Sequence, residues 1–427
     1  MKTLKQNFCN LLGFALLIAI SIFFSSQVLA QAASTVLYQI NLPQPSGSYS
    51  IGTTSYALTD SSRDEIFTKE PNDKRDIFVQ CWYPAQSPKP SEQPVPIWGK
   101  NTKLIVEKLG VSGALSKKQL DEVAKSPSHS YLDAPLAKSS KPFPVLFYSH
   151  GYGTFAAQNT AQMQELASQG YIVFSIGHLY EGLVVFPDGR TVPASPERTA
   201  EFSKSATPIL PIMAKMKTVT DLKEKKSMMI ETFNGWKLFG EDLKIWMDDT
   251  FYVVNEITKW NAPKSKSIFA KTLDLKRIGF FGMSFGGAVS AEICLADKRC
   301  RAGINMDGIQ LGNLLTRPLE TPFMFMQSEE ATGANRLFYE EAENDAYFVE
   351  VKGSKHMNYS DYSLFPSEFQ KNILKSSIEG SKMETFMNSY ILAFFDKYLK
   401  GKKPPLLEKQ PDNSPEIMFL SRKLAKK

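Results

Sequence analysis

One short run constrains the fold more than any other. Ile278–Phe281 is continuously apolar, Gly282-Met283-Ser284-Phe285-Gly286-Gly287 follows it, and Ala288–Ala296 continues with helical composition. A bare G-x-S-x-G is a weak pattern. Between a buried strand and a helix it predicts a sharp turn that lifts a serine out of the strand at the carboxyl edge of a parallel sheet. Glycines two before and two after let neighbouring backbone pass where a Cβ would collide. The helix N-terminus then favours negative charge beside the hydroxyl. Ser284 is the candidate nucleophile.

The rest of the chain keeps the rhythm of a parallel sheet. Apolar runs at Phe78–Tyr83, Phe143–Tyr148, Tyr171–Ile176, Ala302–Met306, Pro322–Met326 and Ala346–Val351 alternate with helical stretches. Strands covered on both faces by helices read this way. Helices are predicted over 100–125, 156–169 and 383–399. Residues 31–75 are polar and turn-rich and are expected to wrap the surface. Pro84 is expected to close its strand, and the five prolines of 84–96 to make an extended loop. Residues 195–262 differ: they are Lys- and Met-rich and strongly helical. Trp236, Phe239, Leu243, Trp246, Val253, Ile257 and Trp260 recur there at three, four and seven residue steps, one face of a long amphipathic helix that would pack on the sheet. Residues 195–235 are a candidate lid, and either they or 100–125 a candidate lipid-contacting surface. The 427 residues thus read as one large α/β domain over 31–427, with a helical insertion at 195–262 before the nucleophile strand.

Composition removes several functions. Apolar residues are 43% and charged residues 22%, which excludes collagen-like and disordered chains. The net charge of +6 comes from 50 basic and 44 acidic residues. Its basic runs, Lys223–Lys226, Lys400–Lys403 and Lys423–Lys427, are short, scattered and free of aromatic residues, so no nucleic-acid partner is expected. No CxxC, HExxH or His/Cys cluster occurs, so neither a metal nor a cofactor is expected.

Residues 1–30 read as a signal peptide. Lys2 and Lys5 give the basic start, Leu11–Phe24 the apolar stretch, and Val28-Leu29-Ala30 a cleavage site. The apolar stretch is shorter than the ~20 residues of a spanning helix. Export, to the periplasm or beyond, and a mature chain starting near Gln31 are the expectation; loss of the two lysines takes the charge from +6 to +4. Export permits disulfides. Cys294 and Cys300 are near enough in sequence for a local bridge, while Cys81 sits in a strand pattern as a small core residue.

A serine nucleophile needs a base, and only His129, His150, His178 and His356 are available. His356 follows the Ala346–Val351 strand, and the chain order Ser, acid, His belongs to this kind of turn. His150 and His178 precede the serine, and His129 lies in a polar loop expected to face solvent. The acid stays open from position alone. Asp307 ends the Ala302–Met306 strand and is followed by Gly308; Glu329 and Glu330 follow the next strand. The oxyanion hole needs two backbone donors. Phe285, after the nucleophile, supplies one. Tyr152, in Ser149-His150-Gly151-Tyr152-Gly153, is the choice for the other, with His150 orienting that loop.

These motifs together resemble a known family. Val145–Gly153 (VLFYSHGYG), Leu166–Val173 (LASQGYIV), Asp274–Gly287 (DLKRIGFFGMSFGG), Ala302–Gly308 (AGINMDG), Lys352–Asn358 (KGSKHMN) and Asp76–Ala85 (DIFVQCWYPA) look like the plasma-type platelet-activating-factor acetylhydrolases and their bacterial relatives. The likeness spans roughly 75–400 and is weak across 195–262. It implies an α/β-hydrolase fold and a calcium-independent phospholipase A-type esterase that cleaves short sn-2 acyl groups. A general short-chain esterase, or a polyester or dienelactone-type hydrolase, is the alternative. It also implies Ser284, Asp307 and His356 as the triad, with Tyr152 and Phe285 as oxyanion donors, and a small-molecule or lipid ester as the partner. Two departures stand out. Met283 occupies a position where the family more often has histidine, and Gly177-His178-Leu179-Tyr180 lacks the family's usual basic and acidic pair. Both are expected near the pocket. Finally, Asn358-Tyr359-Ser360 is a formal glycosylation sequon two residues from His356.

Overall fold

The computed structural model describes residues 38–108 and 115–423, so the leader expected over 1–30 lies outside the described residues. In chain order the strands are β1 (Ser50–Asp64), β2 (Lys74–Ala85), β3 (Ser130–Leu132), β4 (Phe143–Ser149), β5 (Ile172–Gly177), β6 (Val184–Val185), β7 (Thr191–Val192), β8 (Leu273–Met283), β9 (Cys300–Met306), β10 (Phe323–Ser328), β11 (Ala346–Val351) and β12 (Ile417–Arg422). The main helices are α1 (Thr102–Lys108), α2 (Lys117–Ala124), α3 (Thr160–Ser168), α4 (Pro196–Ala206), α5 (Leu210–Thr218), α6 (Leu222–Asn234), α7 (Lys237–Trp260), α8 (Phe285–Ala296), α9 (Asn335–Glu341) and α10 (Gly380–Lys400).

Ten strands form one sheet in the order β12-β11-β10-β9-β8-β4-β5-β2-β1-β3, and β6 and β7 pair separately. The run from β5 to β11 through β4, β8, β9 and β10 is parallel. β12 pairs antiparallel with β11, as do β2 with β5 and β1 with β2. This is the mostly parallel α/β-hydrolase architecture expected from the sequence.

Alternation along the central strands explains why they read as unbroken apolar runs. Val145, Phe147 and Phe280 point into one core layer, shared with α4 to α8. Leu146, Tyr148 and Phe281 point into the other, shared with α1, α2, α3 and α10. Successive side chains face opposite sides of a strand, and here both sides are covered by helices.

Several local expectations need correction. Residues 38–75 do more than wrap the surface, because they contribute the 15-residue strand β1. Its Ser- and Thr-rich sequence hid it. The strand lies next to the edge, much of it half-buried or exposed, and such strands need little apolar sequence. Pro84 does not end β2, since Ala85 continues the pairing opposite Ser50. The helix expected over 156–169 starts only at Thr160. The single helical stretch of 100–125 resolves into α1 and α2, with 109–114 outside the described residues.

The insertion consists of α4 to α7. In α7 the apolar stripe of Leu243, Trp246, Val253 and Ile257 is buried, as the spacing predicts. The insertion is also tied down by polar contacts: Lys225 Nζ donates to the Thr332 carbonyl at 2.6 Å, beyond the end of β10. Cys294 and Cys300 form a disulfide that joins the end of α8 to the start of β9, and Cys81 is a free, buried thiol in β2.

Candidate active site

Ser284 stands between β8 and α8 with φ 57° and ψ −122°, a region that a side chain rarely adopts. Two features hold it there. Its N–H donates to the Met306 carbonyl at 2.8 Å. A Cβ on Gly282 would lie 2.2 Å from the Gly286 carbonyl oxygen, and one on Gly286 only 2.0 Å from that of Ser149. Only glycine fits either position, so the motif's glycines are steric requirements of the turn.

Three strand ends converge on this serine. His356, in the turn after β11, places Nε2 2.9 Å from Ser284 Oγ and Nδ1 2.7 Å from Asp307 Oδ2. Asp307 directly follows β9, with a left-handed φ of 57° that swings its carboxylate toward the imidazole. Its other contacts are neutral donors from β10: Ser328 N–H at 2.7 Å and Ser328 Oγ at 2.9 Å. Glu329 and Glu330, the other candidate acids, contact main chain of the base's loop. Glu329 Oε2 accepts from Gly353 N–H at 3.0 Å, and Glu330 Oε1 from His356 N–H at 2.9 Å. They orient the loop and leave the imidazole to Asp307. Burial disfavours the His356 cation, but the Asp307 hydrogen bond and charge, with the Glu330 charge behind them, outweigh it and raise the imidazole above its ordinary value.

The loop after β4 lies close on the other side of the serine. A Cβ on Gly151 would sit 3.4 Å from Ser284 Cβ. Gly153 N–H donates to the Glu181 carbonyl at 2.7 Å and Thr154 N–H to the Gly151 carbonyl at 3.1 Å. Those two donors are taken by main-chain carbonyls, one of the neighbouring segment after β5 and one of the loop itself, and the donor next in line is Tyr152 N–H. Phe285 opens α8, so its N–H has no acceptor within the helix. His150 is buried beneath this loop. Its Nε2 accepts from His178 N–H at 3.2 Å, which assigns the proton to Nδ1, 2.8 Å from the Gly151 carbonyl. Burial first, and the neighbouring His178 second, push His150 down to about 3, so it stays neutral and braces the loop.

His178 does not reach the pocket, contrary to expectation. It is fully buried and stacked on Trp246 with ring centroids 3.9 Å apart, and its Nδ1 lies 3.0 Å from Asp249 Oδ2. Asp249 also receives Arg75 at 2.7 Å and Arg63 at 2.8 Å. His129 is half-buried, with Nε2 3.3 Å from the Leu42 carbonyl, and does not face open solvent. Asn358 is buried, its amide bonded to Ser363 Oγ and Gln370 Oε1 at 3.1 Å each.

A cavity of about 100 Å³ opens over Ser284. Its lining includes Met283, His356, Met357 and Glu330 together with the aromatic residues Tyr152, Phe202, Phe239 and Phe285. Phe202 and Phe239 come from the insertion. The amphipathic stripe included Phe239, but nothing in the sequence marked Phe202. Among the described residues, no group of His, Cys, Asp or Glu is arranged to hold a metal ion, and no helix is long and apolar enough to cross a membrane.

The family model described as platelet-activating factor acetylhydrolase, isoform II, matches residues 34–184 and 258–413, well over half of the chain. The chain belongs to that family. It is accordingly an ester hydrolase of the serine type. Platelet-activating factor acetylhydrolase of Cavia porcellus is 26% identical over 84% of this chain and 78% of its own length. The probable 1-alkyl-2-acetylglycerophosphocholine esterase of Arthroderma benhamiae is 23% identical over 91% of this chain and 96% of its own. Among solved structures, a ferulic acid esterase from Streptomyces cinnamoneus aligns with a TM-score of 0.65 at 23% identity, over 89% of this chain and 98% of that one, a likeness of fold. Residues 185–257, which include α4, α5, α6 and most of α7, fall outside the acetylhydrolase family match.

Proposed function

We propose that this acetylhydrolase-family chain is an exported, calcium-independent hydrolase of short sn-2 acyl esters of phospholipids, acting through Ser284, His356 and Asp307. The observation that carries the reading is the continuous relay from Ser284 Oγ to His356 Nε2 and from Nδ1 to Asp307 Oδ2, at 2.9 and 2.7 Å. In this mechanism His356 takes the Ser284 proton as Oγ bonds to the ester carbonyl carbon. Asp307 fixes the tautomer and stabilises the imidazolium. The oxyanion lies against the N–H groups of Tyr152 and Phe285. His356 then returns its proton to the leaving alcohol as the C–O bond breaks. Water repeats the sequence on the acyl-enzyme, releasing the acid and free Ser284.

A fluorophosphonate probe should label the mature chain at Ser284 only, and a short sn-2 acyl phospholipid should be cleaved at an undiminished rate in EDTA. Failure to label removes the mechanism. Cleavage of p-nitrophenyl acetate without any cleavage of the phospholipid would leave a general short-chain esterase. Export is tested separately, by sequencing the N-terminus of the processed protein, which should begin near Gln31.

A further inference from the structure

The acyl and alcohol halves of a bound ester must leave Ser284 in different directions, and the cavity differs in character along those directions. His356 Nε2 has to reach the leaving oxygen, so the alcohol half lies on the side of His356, Met357 and Glu330. The oxyanion points at the Tyr152 and Phe285 amides. The fourth direction from the tetrahedral carbon is that of the acyl group, away from His356 and beside the residues of the oxyanion hole.

That side is aromatic. Phe202 of α4 stacks on Tyr152 with ring centroids 4.8 Å apart, and Phe239 of α7 packs on Phe285 at 4.8 Å. The two insertion rings touch each other at 5.2 Å. Phe202 is buried and Phe239 half-buried. The rings are fixed from behind. Tyr152 Oη donates to Asp242 Oδ2 at 3.0 Å, and Arg198 binds Oδ1 of the same carboxylate. Asp242 and Arg198 belong to the same two helices as Phe239 and Phe202, so polar contacts tie both helices to each other and to Tyr152.

We infer that Phe202 and Phe239 form the end wall of an acyl subsite that admits a short acyl group and excludes a longer unbranched chain. Both rings come from the segment that falls outside the acetylhydrolase family match, while Tyr152 and Phe285, on which they pack, lie within it. The inference rests on the proposed roles of Ser284, His356 and the oxyanion donors. A rigid aromatic wall rejects added methylenes sterically, because a packed interior has few voids to receive them.

The test is a ladder of p-nitrophenyl esters, acetate to octanoate, on the wild type and on Phe202→Ala and Phe239→Leu, with circular dichroism to show that each variant is folded. The ratio of kcat/KM for octanoate to that for acetate should rise at least tenfold in either variant. The milder Phe239→Leu keeps the test valid should Phe202→Ala not fold. A second series, acetate esters of different alcohols, should show the same order of preference in the variants as in the wild type. An unchanged octanoate-to-acetate ratio in folded variants overturns the inference, and so does a change confined to the alcohol series. Failure of the underlying reading looks different: the wild type itself would neither hydrolyse acetate esters nor take up the fluorophosphonate.

Discussion

The molecule contains two histidine–aspartate pairs with nearly the same geometry. In His356–Asp307 and in His178–Asp249, Nδ1 faces Oδ2, at 2.7 and 3.0 Å. Everything around them differs. Asp307 accepts hydrogen bonds from the neutral Ser328 donors as well as facing the imidazole, with the Lys217 ammonium acting on it through its charge, and His356 is raised above its ordinary value. Asp249 shares its charge with Arg75 and Arg63. Burial, with those two cations behind it, lowers His178 below its ordinary value despite the carboxylate. The far nitrogens differ too: His356 Nε2 meets Ser284 beside a cavity, whereas His178 Nε2 is buried and has no hydrogen-bond partner among the described residues. An imidazole–carboxylate contact is therefore not in itself a catalytic device. The proposed role needs a carboxylate that is not hydrogen-bonded to a buried guanidinium and a second nitrogen that faces a nucleophile.

The comparison can be broken by four measurements. Ser284→Ala should lower kcat by about 10⁶ while leaving the melting temperature within a few degrees; measurable turnover near the wild-type rate would remove the His356 pair from the chemistry. Asp307→Asn, which keeps the shape but mis-sets the tautomer, should cost about 10⁴ in kcat with little loss of stability. The same substitution in the other pair should reverse those effects. Asp249→Asn leaves Arg75 buried without its main partner and should destabilise by about 3–5 kcal/mol, seen in denaturant melts, with kcat within about tenfold while the protein remains folded. If Asp249→Asn instead abolished turnover in a stable protein, the buried pair would be catalytic and the distinction would fall.

The smallest effect is on pH. His356 must be neutral to accept a proton, so kcat/KM should rise with pH through an apparent pKa above the ordinary 6.5. Glu330→Gln removes an anion that favours the cation, so the acid limb should move to lower pH. A shift to higher pH would contradict the charge argument.

What was legible in the sequence follows from locality. The elbow is legible because a tight turn imposes glycine at Gly282 and Gly286 within five residues. The central strands are legible because burial on both faces leaves an unbroken apolar run, as in Phe143–Ser149. His356 could be named because it lies in the turn after such a strand, while Asp307, which directly follows β9, was set apart from Glu329 and Glu330 only by the family resemblance. β1 was not legible, because half-exposed backbone pairing asks little of side chains. Neither were the wall residues or the buried pair. Phe202 meets Tyr152, and His178 meets Asp249, across 50 and 71 residues, and no local pattern encodes a contact at that separation. Arg198 and Asp242, which hold Tyr152 from behind, are ordinary charged residues of amphipathic helices until the fold brings them together.

The burial of Asn358 bears on how the chain is made. Its amide is fully committed to Ser363 and Gln370, so the sequon can be read only before the His356 turn has closed. In a host that attaches sugars to nascent chains, folding and glycosylation would race for this one nitrogen. A chain that lost the race would carry an oligosaccharide where two hydrogen bonds belong, next to the imidazole. Mass spectrometry of material from such a host should find the sugar confined to an inactive fraction, and a host lacking the modification should yield a uniformly active product.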